Sequence, residues 1–146
     1  MTNCKMFGLM MAVLAAPAFF AFASAADAPK ASAAGRRVFE MRTYHAHPGR
    51  LDALNKRFRD HTCKLFEKHG MELIGFWTPK DDAQGKADTL VYLLAFPSRD
   101  AAKASWKAFQ DDPVWKKARD ESEKDGKIVA KVESVYLDPT DYSAIK

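Results

Sequence analysis

The sequence predicts an α+β domain of the ferredoxin-like kind, with element order β-α-β-β-α-β and the second helix broken in two. Three observations predict it. Four short segments, alternating or rich in apolar and β-branched residues, have the pattern of strands. The longer segments between them carry apolar residues three and four apart, the spacing of an amphipathic helix. Gly70, Gly126 and the pair Asp112-Pro113 stand where such helices stop or restart.

From Val38 to His45 the residues alternate. Phe39, Met41 and Thr43 point to one side and Glu40, Arg42 and Tyr44 to the other, the mark of a strand with one face on the core. Pro48-Gly49 ends it. Leu51, Leu54, Phe58, Thr62, Leu65 and His69 then form the buried stripe of the first helix. Lys56, Arg57, Arg59 and Lys64, set among Asp60 and Glu67, make its solvated face. Gly70 stops the helix.

Met71 to Thr78 and Thr89 to Phe96 are two strands of a hairpin, joined by the polar loop Pro79 to Asp88. Ser98 is placed to cap a helix whose stripe is Ala102, Trp106 and Phe109. Asp112 caps the next, with Pro113 in its first turn and Trp115, Ala118 and Ser122 inward. Ile128 to Leu137 is the last strand.

Helices on one side leave the second sheet face uncovered. That face is expected to carry Glu40, Arg42 and Tyr44 from the first strand and Val129, Lys131, Glu133, Val135 and Leu137 from the last. Such a mixture of apolar and charged groups suits pairing with a second copy, Glu40 and Arg42 forming ion pairs across the dimer face.

The 146 residues suit one folded domain, and 47% hydrophobic with 29% charged is too apolar for a disordered chain. The net charge of +4 is scattered, with no basic stripe interleaved with aromatics, so nucleic acid is not an expected partner. Met1 to Lys5 is short and cationic, Met6 to Ala23 is apolar, and Ala23-Ser24-Ala25 offers the small residues of a cleavage site. This is the pattern of a secretory signal over residues 1–25. Residues 26–35, Ala-rich with Pro29, form a flexible linker, and the domain occupies 36–146. The expected address is periplasmic or secreted, with membrane contact only through the signal before cleavage. Cys4 would leave with the signal and Cys63 would stay as a lone cysteine, on the polar side of its helix, so the fold must stand without an intramolecular disulfide.

The pieces Glu40-x-Arg42-x-Tyr44, Pro48-Gly49, His69-Gly70-Met71, Gly75-Phe76-Trp77 and Asp112-Pro113-x-Trp115, in this order, resemble the NIPSNAP domain. The resemblance runs from about Val38 to Leu137. It implies a ferredoxin-like protomer that pairs sheet to sheet into a dimeric α+β barrel. It implies no settled activity. The wider superfamily includes cofactor-free monooxygenases and haem-handling enzymes, a likeness of fold and not of site. The best-known members are mitochondrial, whereas this chain carries an export signal.

Candidate chemistry is sparse. His45 and His47 share a strand end, but no third ligand stands at diagnostic spacing, so no metal site is assigned. His69, on the buried stripe, is a core histidine bonded near the Gly70 turn. His61 lies at the edge of that stripe, where a titratable side chain would reach a pocket between helix and sheet. Tyr44, Trp77, Tyr92 and Trp106 are the aromatics available to hold a flat apolar ligand, with His61 at the mouth of a cavity lined by Tyr92 and Trp106. No serine has a partner base, and no phosphate loop exists. No catalytic residue and no cofactor is specified. The expected function is that of a homodimeric protein binding a small apolar or aromatic molecule. The other class is a cofactor-free monooxygenase or a haem-handling enzyme.

Overall fold

In a computed structural model the alternating first segment is strand β1, Val38–Ala46. The structure describes residues 37–146; the expected signal and linker, and Cys4, lie outside them. A helical run follows in three pieces: α1 (Leu51–Arg57), a π-helical stretch (Phe58–Thr62) and α2 (Cys63–Lys68). Then come β2 (Glu72–Trp77), β3 (Thr89–Phe96), α3 (Arg99–Asp111), α4 (Pro113–Ser122) and β4 (Val129–Leu137). The strands make one antiparallel sheet in the order β2-β3-β1-β4, which is the ferredoxin-like arrangement. Among the described residues no helix is long and apolar enough to cross a membrane.

The core lies between the sheet and the helices. Leu90, Tyr92, Leu94 and Phe96 of β3 enter it from the sheet, and Leu54, Phe58, Phe66 and Phe109 from the helices, all buried. Aromatic edges fill it: Phe66 meets Phe109 at 4.8 Å and Trp106 at 5.3 Å, while Phe76 stacks on Tyr92 at 5.3 Å.

The inward face of β1 is the reverse of the one expected. Glu40, Arg42, Tyr44 and Ala46 face the helices, and Glu40 is only 1% exposed. Register carries the same parity across the sheet, Arg42 standing opposite Tyr92 on β3 and Ser134 on β4. The open face instead carries Met41, Thr43, Val91, Leu93, Val135 and Leu137. Val129 also changes sides. An irregularity between His45 and Ala46 pairs Ala46 with Val129, which packs against the core.

The wide turn at Phe58–Thr62 rewrites the first helix. In an uninterrupted α-helix His61, seven residues after Leu54, would lie at the edge of the buried stripe. The turn inserts one extra residue: the Cys63 amide donates to Phe58 O, five residues back, and Thr62 Oγ1 donates to Arg57 O at 3.2 Å. Thr62 keeps its inward place, and His61 is exposed to solvent. Arg57, expected on the solvated face, is 4% exposed. Cys63 is half-buried against the core rather than on the polar side, and burial, then Glu67, pushes its thiol pKa up.

The caps read from sequence are present. Ser98 Oγ accepts from the Ala101 amide at 3.1 Å, and Asp112 Oδ1 accepts from the Val114 amide at 2.7 Å. Asp112 Oδ2 also accepts from Lys68 Nζ at 2.7 Å and lies 2.8 Å from His69 Nε2, tying α2 to α4. The hydrogen bonds from Lys68, His69 and the Val114 amide hold this carboxyl well below the usual carboxylate range. A carboxyl whose folded pKa is depressed stabilises the fold above its unfolded pKa of about 3.9, and that contribution is lost as pH falls toward the folded value. Asp112→Ala is expected to lower the melting temperature by about 4–8 °C at neutral pH, the range a lost cap gives in a domain of this size. Asp112→Asn keeps a capping oxygen without the charge. Its deficit against wild type should shrink between about pH 5 and about pH 2, as read by thermal melts across that range; a constant deficit would show that the charge contributes nothing.

Candidate functional site

Three regions of the surface and core collect the chemistry-bearing residues: a buried polar knot, an aromatic cleft and an open sheet face.

The knot forms where β1, β4 and α3 meet. Glu40 Oε1 accepts from Arg42 Nη1 at 3.0 Å and from Ser134 Oγ at 2.6 Å, and Oε2 accepts from Trp106 Nε1 at 2.5 Å. The Arg42 guanidinium lies over the Trp106 ring, 4.2 Å from its centroid. Burial alone would lower the Arg42 pKa; Tyr44, Tyr92 and Glu40 together hold it above its ordinary value. Glu40 and Arg42 therefore bind one protomer together. Expected on the dimer face, they are placed by strand parity against the helices instead.

Beside the knot, a cleft of about 190 Å³ opens between the π-helical turn, α4 and the β1–β4 edge of the sheet. Tyr44, Phe58, Phe66, Phe109 and Trp115 supply its aromatic walls, and Val129 and Val132 line it from β4. Its polar wall is Arg57, Thr62, Arg119 and Glu123. Arg57 Nη1 donates to Glu123 Oε1 at 3.0 Å and to Ser122 Oγ at 3.3 Å, and its guanidinium sits 5.4 Å from the Trp115 ring centre. Among the described residues four buried side-chain atoms have no hydrogen-bond partner: Arg42 Nε, Arg50 Nε, Arg57 Nε and Tyr92 OH. Of these residues, Arg57 is the one that lines the cleft. A buried donor left unpaired costs about 1–3 kcal/mol, so it is informative that the residue carrying it lines a cavity. The Tyr92 phenol is held well above its ordinary pKa, first by burial and then by Tyr44.

The sequence-derived candidates divide among these regions. Tyr44 lines the cleft. Tyr92 and Trp106 are core and knot residues and do not line it. His61 sits apart on an outer groove of about 270 Å³ between α1 and α4, so the expected cavity with His61 at its mouth is not formed. Trp77 is 54% exposed on the open face, its indole lying over Gly75, where an added Cβ would stand 2.5 Å from the ring. His45 Nδ1 is 3.3 Å from Thr89 Oγ1 at the strand end. Arg57 and Glu123 were not singled out from sequence, and Thr62 only as a stripe residue; the composition of the first helix gives Arg57 the look of an ordinary surface cation, and it is contact with Trp115, Ser122 and Glu123 that buries it.

The open face exposes Met41, Trp77, Val135 and Leu137 at 37%, 54%, 49% and 39%. Residues after β4 fold back over one end of it, leaving a groove of about 420 Å³ between Phe39, Leu93 and Leu137 and the tail residues Pro139, Ala144 and Ile145. Arg37 anchors this tail by donating to Lys146 O at 2.6 Å.

The family description matching this chain is NIPSNAP, over residues 39–144. A crystal structure of a NIPSNAP family protein of unknown function from Agrobacterium tumefaciens is 23% identical, covers 75% of this chain and 94% of that one, and has a TM-score of 0.65. Two proteins from Burkholderia xenovorans are similar in fold. An uncharacterized NIPSNAP domain protein has 23% identity, coverage of 73% and 97%, and a TM-score of 0.61. An uncharacterized NIPSNAP-like domain protein has 15% identity, coverage of 73% and 88%, and a TM-score of 0.63. No curated protein matches the chain.

Proposed function

Because the chain belongs to the NIPSNAP family, whose likeness here fixes a fold and no reaction, we propose from its own geometry that it is an exported, homodimeric protein that binds a small molecule in the aromatic cleft. The observation that carries the binding reading is the cleft itself: aromatic walls from five elements, with a buried arginine that has an unused donor in its lining. Pockets of this make-up, apolar with a few placed polar groups, are where small ligands bind. At about 190 Å³ it is well below the roughly 300–1,000 Å³ of drug-sized sites and close to the roughly 150 Å³ that holds benzene, so the ligand is about one ring in size.

Dimerisation is supported by the open face, whose exposed apolar groups stand on three of the four strands, β1, β2 and β4. A contiguous apolar patch is costly in water and marks an interaction surface. The motif Ala23-Ser24-Ala25 supports export with cleavage before Ala26. One native mass spectrum of protein taken from the envelope or medium of its host tests these points together. The expected species is two chains, each beginning at Ala26, with added small-molecule mass. A bare monomer would refute the binding and dimer readings, and an intact Met1 the export reading.

A further inference from the structure

We infer that the ligand of the aromatic cleft is a monoanionic, single-ring aromatic acid whose carboxylate is taken by Arg57. The inference rests on the binding reading above and adds the chemical class. Size sets the first limit: a cleft of about 190 Å³ admits one ring with a small substituent. The walls set the second. Tyr44 and Phe58 meet edge to face at 5.8 Å, and Phe109 lies at 4.5 Å from Trp115, tilted by 33°. Such surfaces favour a flat, apolar body.

Charge sets the third. The cleft lining holds two arginines, Arg57 and Arg119, against one carboxylate, Glu123. One added negative charge balances that lining, and two would not. The position for it is given by Arg57, which is 4% exposed and whose Nε–H has no acceptor. A guanidinium presents its donors as a planar fork that matches a carboxylate, and one edge of this fork is engaged by Glu123 and Ser122 while Nε is free.

The backbone supports the same assignment. The Thr62 hydroxyl, at the end of the π-helical turn, donates to the Arg57 carbonyl, and both residues line the cleft. Wide turns of this kind interrupt helices mostly where a functional group has to be aimed. Glu123, at the far end of α4, competes for Arg57 from inside the molecule, so an incoming carboxylate shares or displaces that ion pair.

Isothermal titration of the protein with benzoate and with its neutral counterpart benzamide tests the inference. Benzoate is expected to bind at least about tenfold more tightly, the effect of one charge-assisted hydrogen bond in a desolvated site. Arg57→Met should abolish the preference, with circular dichroism confirming the fold. Should that variant not fold, Glu123→Gln decides: removing the internal competitor should tighten benzoate several-fold and leave benzamide unchanged. Equal binding of the two probes, or a Glu123→Gln variant with unaltered benzoate affinity, would overturn the assignment of an acid while leaving the cleft as a binding site. Binding of neither probe at millimolar concentration would overturn the binding reading with it.

Discussion

Glu40→Ala is expected to destabilise the domain by about 3–5 kcal/mol, the largest loss of any single polar substitution in this fold. The carboxylate is buried between β1, β4 and α3, and three donors converge on its two oxygens. Removing it leaves the Trp106 N–H and the Ser134 hydroxyl without an acceptor and strips the counter-charge from Arg42, whose side chain is 18% exposed. Each orphaned neutral donor costs about 1–3 kcal/mol, and an uncompensated, largely buried cation costs more. Glu40→Gln should be milder, because an amide oxygen can still accept from one or two of the donors while its own NH₂ opposes the rest. Trp106→Phe removes one donor and keeps an aromatic face under Arg42, so it should cost less again. Urea unfolding of the three variants gives the order directly. A Glu40→Ala loss below about 1 kcal/mol would show that the knot contributes little. The same reasoning changes what Arg42→Ala should do. It loosens one protomer and acts on pairing only through that.

Met41→Asp is expected to convert the proposed dimer to monomer, weakening association by at least about 100-fold, while leaving the protomer folded. Met41 stands between Leu93 on β3 and Val135 on β4, at the middle of the open face. In a two-fold pairing every substitution appears twice, so two carboxylates would enter the interface close to its axis. Burying unpaired charge in a face of this kind costs several kcal/mol, and each ~1.4 kcal/mol is tenfold in affinity. In the single chain Met41 is already 37% exposed, so the aspartate there keeps its water and the cost to folding is about 1 kcal/mol or less. A stable pairing should bury about 1,200–2,000 Å² in total. Sedimentation equilibrium at micromolar concentration, with far-UV circular dichroism as the control, measures both halves of the expectation. A variant that dimerises as well as wild type would place the interface elsewhere.

The elements, their order and their caps were legible in the linear sequence because each is governed by neighbours along the chain. Alternation in Val38 to His45 needs only the period of a strand. Asp112 caps α4 through the amide two residues on, and Ser98 caps α3 through the amide three residues on, so both are local facts. The interior stripe of the first helix was mostly legible for the same reason, as Leu54, Phe58, Thr62 and Leu65 are all buried.

Which face of β1 turns inward was a matter for the tertiary structure. Period two separates Glu40, Arg42 and Tyr44 from Phe39, Met41 and Thr43 but does not say which set meets the helices, and apolar side chains stand in both. Three donors, two of them from distant elements, decided it by making a buried Glu40 tolerable. The cleft was hidden for a related reason. A periodicity of 3.6 assigns Arg57 to the solvent and His61 to the edge of the stripe; packing against Trp115 and Glu123 buries Arg57, and the turn from Phe58 to Thr62 leaves His61 in solvent. The sequence by itself determined the βαββαβ order, the helix ends and the family; packing between elements far apart in the chain determined which charges are buried and which arginine lines a cavity, because burial is a property of what arrives on the other side.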